Sequence, residues 1–201
     1  DPEMSRGLGD VYKRQINFYV TQLGNKGHYL DVVAKINHMD NDFEVFDSNA
    51  KRITGDFDNT GISLSAEYGR KNSLSKNGWY IEPQAQLTYG HLWGDSYTTT
   101  NGIEVETDSM NSLVGRIGFI LSREFGEKTD KASRYYAKAS LLHEFFGDGR
   151  VNMLDRATND SLSFDDSQSG SWCEVGIGTN LLLSEKTNFY FDIEKTFGGK
   201  V

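Results

Sequence analysis

From Trp79 to Tyr89 apolar and polar positions alternate without a break. Trp79, Ile81, Pro83, Ala85, Leu87 and Tyr89 fall on one side of the period, and Tyr80, Glu82, Gln84, Gln86 and Thr88 on the other. A repeat of two marks a strand whose faces meet different surroundings. The same pattern returns over residues 16–20, 30–36, 62–68, 113–121, 135–141, 173–181 and 189–193. It predicts eight strands, most of about ten residues or more, against about 5–6 in ordinary globular domains. A strand of ~9–11 residues tilted near 45° crosses a bilayer. Pro83 has no N–H for a ladder, so a local bulge is expected there.

The predicted connections alternate in length. Residues 24–27 read as a short turn, 40–59 as a long loop and 70–78 as a shorter one. Residues 94–110 are long, 123–133 intermediate, 146–170 very long and 184–188 short. That pattern gathers the long, solvated loops at one end of an antiparallel up-and-down meander. The fold class is all-β, and closing the sheet makes a barrel.

Alternation alone does not say which face is inside. A soluble lipocalin-like barrel is apolar within, whereas a transmembrane barrel is inverted with the same period. Three features favour inversion. The apolar face carries Trp79, Tyr89, Trp93, Tyr135, Phe145, Phe189 and Phe197 near strand ends, where membrane barrels keep interfacial rings. The polar face carries Asp31, Lys35, Glu67, Glu82, Arg116, Lys138, Glu174, Asp192 and Glu194 among glycines and serines, as a hydrated lumen does. The strands are long. A lipocalin-like ligand binder and a small outer-membrane porin or enzyme stay open as alternatives.

Composition limits these readings. Hydrophobic residues make up 37% and mean hydropathy is −0.56, yet membrane barrels keep mean hydropathy low because their strands alternate. No apolar run approaches the ~18–20 residues of a membrane helix. The net charge of −8 argues against nucleic-acid binding. A single cysteine, Cys173, excludes an intrachain disulfide and a cysteine-rich zinc site. Residues 1–15 show no clear alternation, and RGLGDVYKRQ reads as a translated adaptor, so they are set apart from the domain at 16–201.

The segment W-Y-I-E-P-Q-A-Q-L-T-Y at 79–89 resembles the W-x-x-x-P-x-A-x-L-x-Y strand of the autotransporter (type V secretion) outer-membrane barrel. Ser112 to Gly118 is similar to that family's S-x-x-x-R-x-G strand. Residues 136–145 and the glycine-rich 172–178 look like the two strands that follow. The resemblance implies a twelve-stranded barrel in the outer membrane of a diderm bacterium, with a helix through its pore and an N-terminal passenger. It implies that this chain is a fragment, with about eight strands present, while about three first strands, the pore helix and the last strand are missing. Two unpaired edges are then expected, and a fragment that does not fold stably alone in a membrane. The implied partners are the bilayer and its lipopolysaccharide, the chain's own passenger and plug helix, and the barrel-assembly machinery. The implied barrel is monomeric, with no enzyme activity and no cofactor.

Other motifs are weak. Residues 40–45 begin like an acidic calcium loop but carry Val45 where glycine is required, so a solvated loop is expected. His28, His38, His91 and His143 are scattered, and no metal site is expected from their spacing. Gly115 and Gly118 do not form a nucleotide fingerprint; they are expected to admit close strand approach or a neighbouring ring. No serine–histidine pair stands out in the sequence, and no catalytic residue is expected.

Overall fold

The computed structural model describes residues 8–47, 49–125, 133–167, 169–184 and 187–198. In chain order its strands are β1 (Leu8–Leu23), β2 (His28–Phe46), β3 (Arg52–Arg70), β4 (Asn72–Ser73), β5 (Trp79–Leu92), β6 (Ser96–Thr98) and β7 (Ile103–Thr107). There follow β8 (Met110–Phe125), β9 (Ser133–Glu144), β10 (Asp148–Asp155), β11 (Asp160–Ser167), β12 (Gly170–Ser184) and β13 (Thr187–Gly198). One antiparallel sheet runs β1-β2-β3-β5-β8-β9-β12-β13, so each long strand pairs with its neighbours in the chain. These eight are the eight the alternation predicts. Residues 8–15 form the first half of β1 and pair with residues 37–44 of β2.

The apolar face of the sheet is the exposed one. Ile62, Leu64, Tyr68, Leu87, Ile117, Phe119, Leu141, Val175, Ile177 and Ile193 all lie open, and Ile117 keeps 62% of its surface. Among the described residues no large side chain is fully buried, and the buried Tyr136, Leu142, Ser122 and Glu144 sit on the polar face. A soluble barrel would bury the opposite set. An outward apolar face needs lipid, and this favours the membrane orientation over a lipocalin-like one.

Two expectations about irregularity need correction. No bulge forms at Pro83. It pairs with Phe119 in unbroken register on the β8 side. On the other side the ladder stops at Gly69 and Gln84 and resumes in the same register at Asn72 and Ile81, passing over the Arg70–Pro83 and Lys71–Glu82 positions. The missing N–H interrupts the ladder there and leaves the register intact. The only described register shift between β12 and β13 falls at Leu182 and Ser184, beside their turn.

The long loops also need correction, because each contains strands. Residues 40–59 continue β2 and β3 into a tall hairpin whose register runs to Phe46 and Arg52. The acidic segment from Asp40 is therefore strand, with Asp40 and Asp42 on one face. Residues 94–110 and 146–170 supply β6, β7, β10 and β11, a second antiparallel sheet in the order β11-β10-β7-β6. Their alternation is present in Val151 and Met153 and in Leu162 and Phe164, but it is short and surrounded by Asp, Asn and Ser. Pairing with β7 across about 45 residues supplies the partner that local pattern lacks.

Tyr97 joins the two sheets. Its ring stacks on Phe57 at 5.1 Å and meets Phe43 edge-on at 5.9 Å. Gly55 lies beneath, where a Cβ would fall 2.6 Å from the Phe43 ring and 3.1 Å from that of Tyr97. Burial pushes the Tyr97 phenol above its usual pKa. Backbone bonds from Trp93 N to Thr60 O (2.9 Å) and Thr100 N to Thr54 O (3.0 Å) secure the same junction. Tyr97→Ala removes aromatic contacts worth about 0.5–1.5 kcal/mol beyond simple burial. The expected result is faster limited proteolysis within residues 94–109 with the heat-resistant gel mobility of the barrel unchanged. Equal proteolysis rates would show that the ring does not hold the sheet.

Candidate functional site

Period two puts Tyr29 and Asp31 on the same track of β2, Ser65 and Glu67 on β3, Glu82, Gln84, Gln86 and Thr88 on β5, and Arg116 on β8. Register then aligns them across the sheet, with Asp31 opposite Glu67 and Gln86 opposite both Glu67 and Arg116. Arg116 Nη2 reaches over β5 to Glu67 Oε2 at 2.6 Å, while its Nε donates to Gln86 Oε1 at 2.8 Å. Tyr29 donates from its hydroxyl towards Glu67 Oε1 (2.8 Å) and Glu82 Oε1 (3.0 Å). Gln84 Nε2 donates to the Tyr29 hydroxyl at 2.7 Å and to Glu82 at 3.0 Å. Gln86 and Thr88 both donate to Ser65 Oγ, at 2.7 and 3.0 Å.

The Arg116 and Glu67 side chains keep 22% and 19% of their surfaces. Ions this far from bulk water need partners, and the amides and phenol supply the remaining bonds. Asp31 Oδ1 is buried without a hydrogen-bond partner among the described residues.

A second cluster lies between β9 and β13. Lys138 Nζ pairs with Asp192 Oδ1 at 3.0 Å and with Glu194 Oε2 at 2.7 Å. Tyr136 donates to Asp192 Oδ2 at 2.6 Å. Glu174 accepts from the indole of Trp172 at 3.0 Å. Lys35 is exposed and makes no ion pair among the described residues. The nine charged residues marked by alternation therefore divide into Glu67, Glu82 and Arg116 with Asp31 alongside, Lys138 with Asp192 and Glu194, Glu174 with its tryptophan, and Lys35 by itself.

Two rings lock this face. Tyr29 lies across Gly69, where a Cβ would fall 2.3 Å from the ring, and Tyr136 lies across Gly178 at the same 2.3 Å. On the apolar face a Cβ on Gly115 would fall 3.1 Å from the Phe145 ring, and on the polar face one on Gly118 would meet Ser140 Oγ at 2.4 Å.

The seven aromatics of the apolar face are all exposed and fall into two levels. Register places Trp79 and Tyr135 both opposite Arg123, at the short-turn end, with Phe189 at the start of β13 beside them. Phe125 stacks on Tyr135 at 4.9 Å. Tyr89, Trp93, Phe145 and Phe197 mark the other end. His91 meets Trp93 edge-on at 4.7 Å, and His143 meets Phe145 at 4.5 Å. Trp79 and Tyr89 stand about ten residues apart, roughly 34 Å of strand, or about 26 Å of height at a tilt near 40°. That matches the ~25 Å apolar band of outer-membrane barrels.

Alternation finds the charged residues but misses their neutral partners Tyr29, Gln84, Gln86 and Ser65, although these share the same tracks. It also cannot see that His38 and Asp40 of β2 meet Asp58 of β3, 18 residues away. Their donor atoms lie within 4.8 Å of one another on the exposed face of the tall hairpin. A serine–histidine contact exists, His143 Nδ1 to Ser171 Oγ at 2.8 Å. It lies on the apolar face beside Phe145, with no carboxylate on the second ring nitrogen among the described residues.

A family model described as Autotransporter beta-domain matches residues 4–194. The pertactin autotransporter of Bordetella parapertussis is 29% identical over 195 residues, which are 97% of this chain and 20% of that protein. The probable autotransporter YcgV of Escherichia coli is 29% identical over 199 residues, 98% of this chain and 20% of that one. The chain thus spans about a fifth of the length of these curated relatives. The crystal structure of the β domain of the Bordetella autotransporter BrkA superposes with a TM-score of 0.71 at 24% identity, covering 95% of this chain and 68% of that one.

Proposed function

Because this chain belongs to the autotransporter β-domain family, and so to the barrels of the Gram-negative outer membrane, we propose that its polar face lines the pore through which an N-terminal passenger reaches the cell surface. The observation that carries this reading is the Arg116–Glu67–Tyr29–Glu82–Gln84 network, which spans four strands on the face turned away from the lipid side. A hydrated wall of satisfied charges gives a passing polypeptide polar contacts and no apolar surface to adhere to. The same wall is suited to hold a plug helix afterwards. The two levels of aromatic rings set the barrel's depth among bilayer lipids and lipopolysaccharide. Further parts of this proposal are a single-barrel monomer, insertion by the barrel-assembly machinery and no catalytic role for the barrel.

The test is Glu82→Leu with Arg116→Leu in the full-length protein. Removing both leaves Glu67 without its guanidinium and Tyr29 with one carboxylate fewer, on an apolar-lined stretch of wall. Surface display of the passenger, scored by antibody on intact cells at matched levels of folded barrel, should fall several-fold. Lys35→Ala should leave display near wild type, because that side chain makes no ion pair. Undiminished display in the double variant would overturn the proposal.

A further inference from the structure

We propose that His38, Asp40 and Asp58 form a binding site for a first-row divalent cation of the zinc class, on the outside of the barrel wall at the edge of the upper aromatic belt. Nothing in the translocation reading requires it, since the site lies on the opposite face from the polar network.

The geometry comes from register. His38 and Asp40 stand two apart on β2 and share a face, and β3 sets Thr60 opposite His38 and Asp58 opposite Asp40. His38 Nε2 and Asp40 Oδ1 are 3.1 Å apart. Around an ion ~2.1 Å from each, two donors at that spacing subtend about 95°, roughly 15° below the tetrahedral angle, which a small turn of either side chain makes up. Asp58 is exposed and free to complete the third position by rotation about its side-chain bonds. Water fills the rest of such a half-open shell.

Two further observations point to a cation. The first is the second nitrogen of His38. Nδ1 lies 2.9 Å from Thr60 Oγ1. With the proton on Nε2 the pair is a hydrogen bond from His38 to Asp40; with it on Nδ1, donating to Thr60, Nε2 presents a lone pair beside the carboxylate, the arrangement a metal ligand requires. A metal ion between them resolves the contact, and a hydrogen bond from the distal nitrogen is the usual way a ligating histidine is oriented.

The second is the register of like charges. Asp40 faces Asp58, and on the next rung of the same face Asp42 faces Asp56. Carboxylates directly opposite one another destabilise an antiparallel pair. The cation nearby is Arg14 of β1, 3.6 Å from Asp40 Oδ2 with 68% of its side chain exposed, too loose to neutralise both rungs. An imidazole in the donor set selects zinc-like ions over calcium or magnesium. The height is suitable as well, because Trp93 N bonds Thr60 O, which puts the cluster level with the outer belt and clear of the apolar band.

The experiment is calorimetric titration of EDTA-stripped full-length protein in detergent with zinc chloride. Wild type should bind one zinc ion per chain, and His38→Ala and Asp58→Asn should each weaken that binding by about tenfold or more. Asp42→Asn with Asp56→Asn should retain it, because those residues carry charge but no donor to the site. Folding of each variant is checked by its heat-modifiable gel mobility, and His38→Gln replaces the alanine variant if that one fails to fold. Absence of binding at tens of micromolar zinc, equal affinity in wild type and His38→Ala, or an equal loss in the Asp42 and Asp56 pair would each overturn the proposal.

Discussion

Ile117→Arg should destabilise the folded barrel by about 2–4 kcal/mol, the cost of a basic side chain at the bilayer midplane of a lipid-facing strand. Ile117 keeps 62% of its surface, and its register partners Ala85 and Leu141 stand on the same outward face. Ala85 lies between Trp79 and Tyr89, so the position is deep between the two aromatic levels. An arginine there must drag its charge into hydrocarbon or bend towards the headgroups. Val33→Arg is the counterpart on the polar face, where the new guanidinium stands between Asp31 and Lys35 on the same track of β2. It should change stability by less than about 1 kcal/mol, since lumen substitutions meet water and counter-charges. Urea titration of the barrel in liposomes, followed by tryptophan fluorescence, measures both. Equal losses at the two positions would mean that the assignment of inner and outer face is wrong.

Gly69→Ala should cost about 1–3 kcal/mol through overpacking. The added Cβ falls 2.3 Å from the Tyr29 ring, and the ring has little freedom to move because Glu67, Glu82 and Gln84 hold its hydroxyl. If the clash is the cause, Tyr29→Ala in the Gly69→Ala background should cost less than the sum of the two single changes. Strict additivity would show that ring and glycine act independently. The pair also bears on register. A slip of one residue turns every apolar side chain inward and is strongly opposed, whereas a slip of two keeps both faces correct. Hydrophobicity alone does not distinguish those two arrangements. A ring seated on one glycine does, because after a two-residue slip Tyr29 would lie against Glu67 or Lys71, each of which bears a Cβ.

This distinction sets what could be read from the residues alone. The eight long strands, their polarity and the two aromatic levels follow from side-chain order within one strand, as from Trp79 to Tyr89. The contacts that build the polar network depend on which residue lies across the gap. Tyr29 and Glu82 are 53 positions apart with β3 between them, and Arg116 reaches Glu67 over β5. His38 with Asp58 is the same case. Pro83 shows a third limit: its missing donor is legible, but whether the strand bulges or only interrupts its ladder depends on whether the neighbouring chain holds register on both sides, as Asn72 and Ile81 do. The strands in the long loops are not legible in the sequence because β10 and β11 are short, rich in Asp and Ser, and stabilised by β7 rather than by their own pattern.

The charges of the polar face carry one more consequence. Of the nine side chains that the alternation marks on it, Asp31, Glu67, Glu82, Glu174, Asp192 and Glu194 are acidic and Lys35, Arg116 and Lys138 basic, leaving −3, and the further charges on the same strand tracks, Lys13 and Arg134 against Glu124 and Glu144, cancel. Within the ~8 Å over which physiological salt screens a charge, such a wall acts as an ion exchanger. On the proposed reading of this face as pore lining, small cations accumulate beside it and small anions are held off, and single-channel current is expected to be carried mainly by cations. The electrical signature of the channel is thereby set by the same carboxylates that hold Tyr29, Arg116 and Lys138 in place.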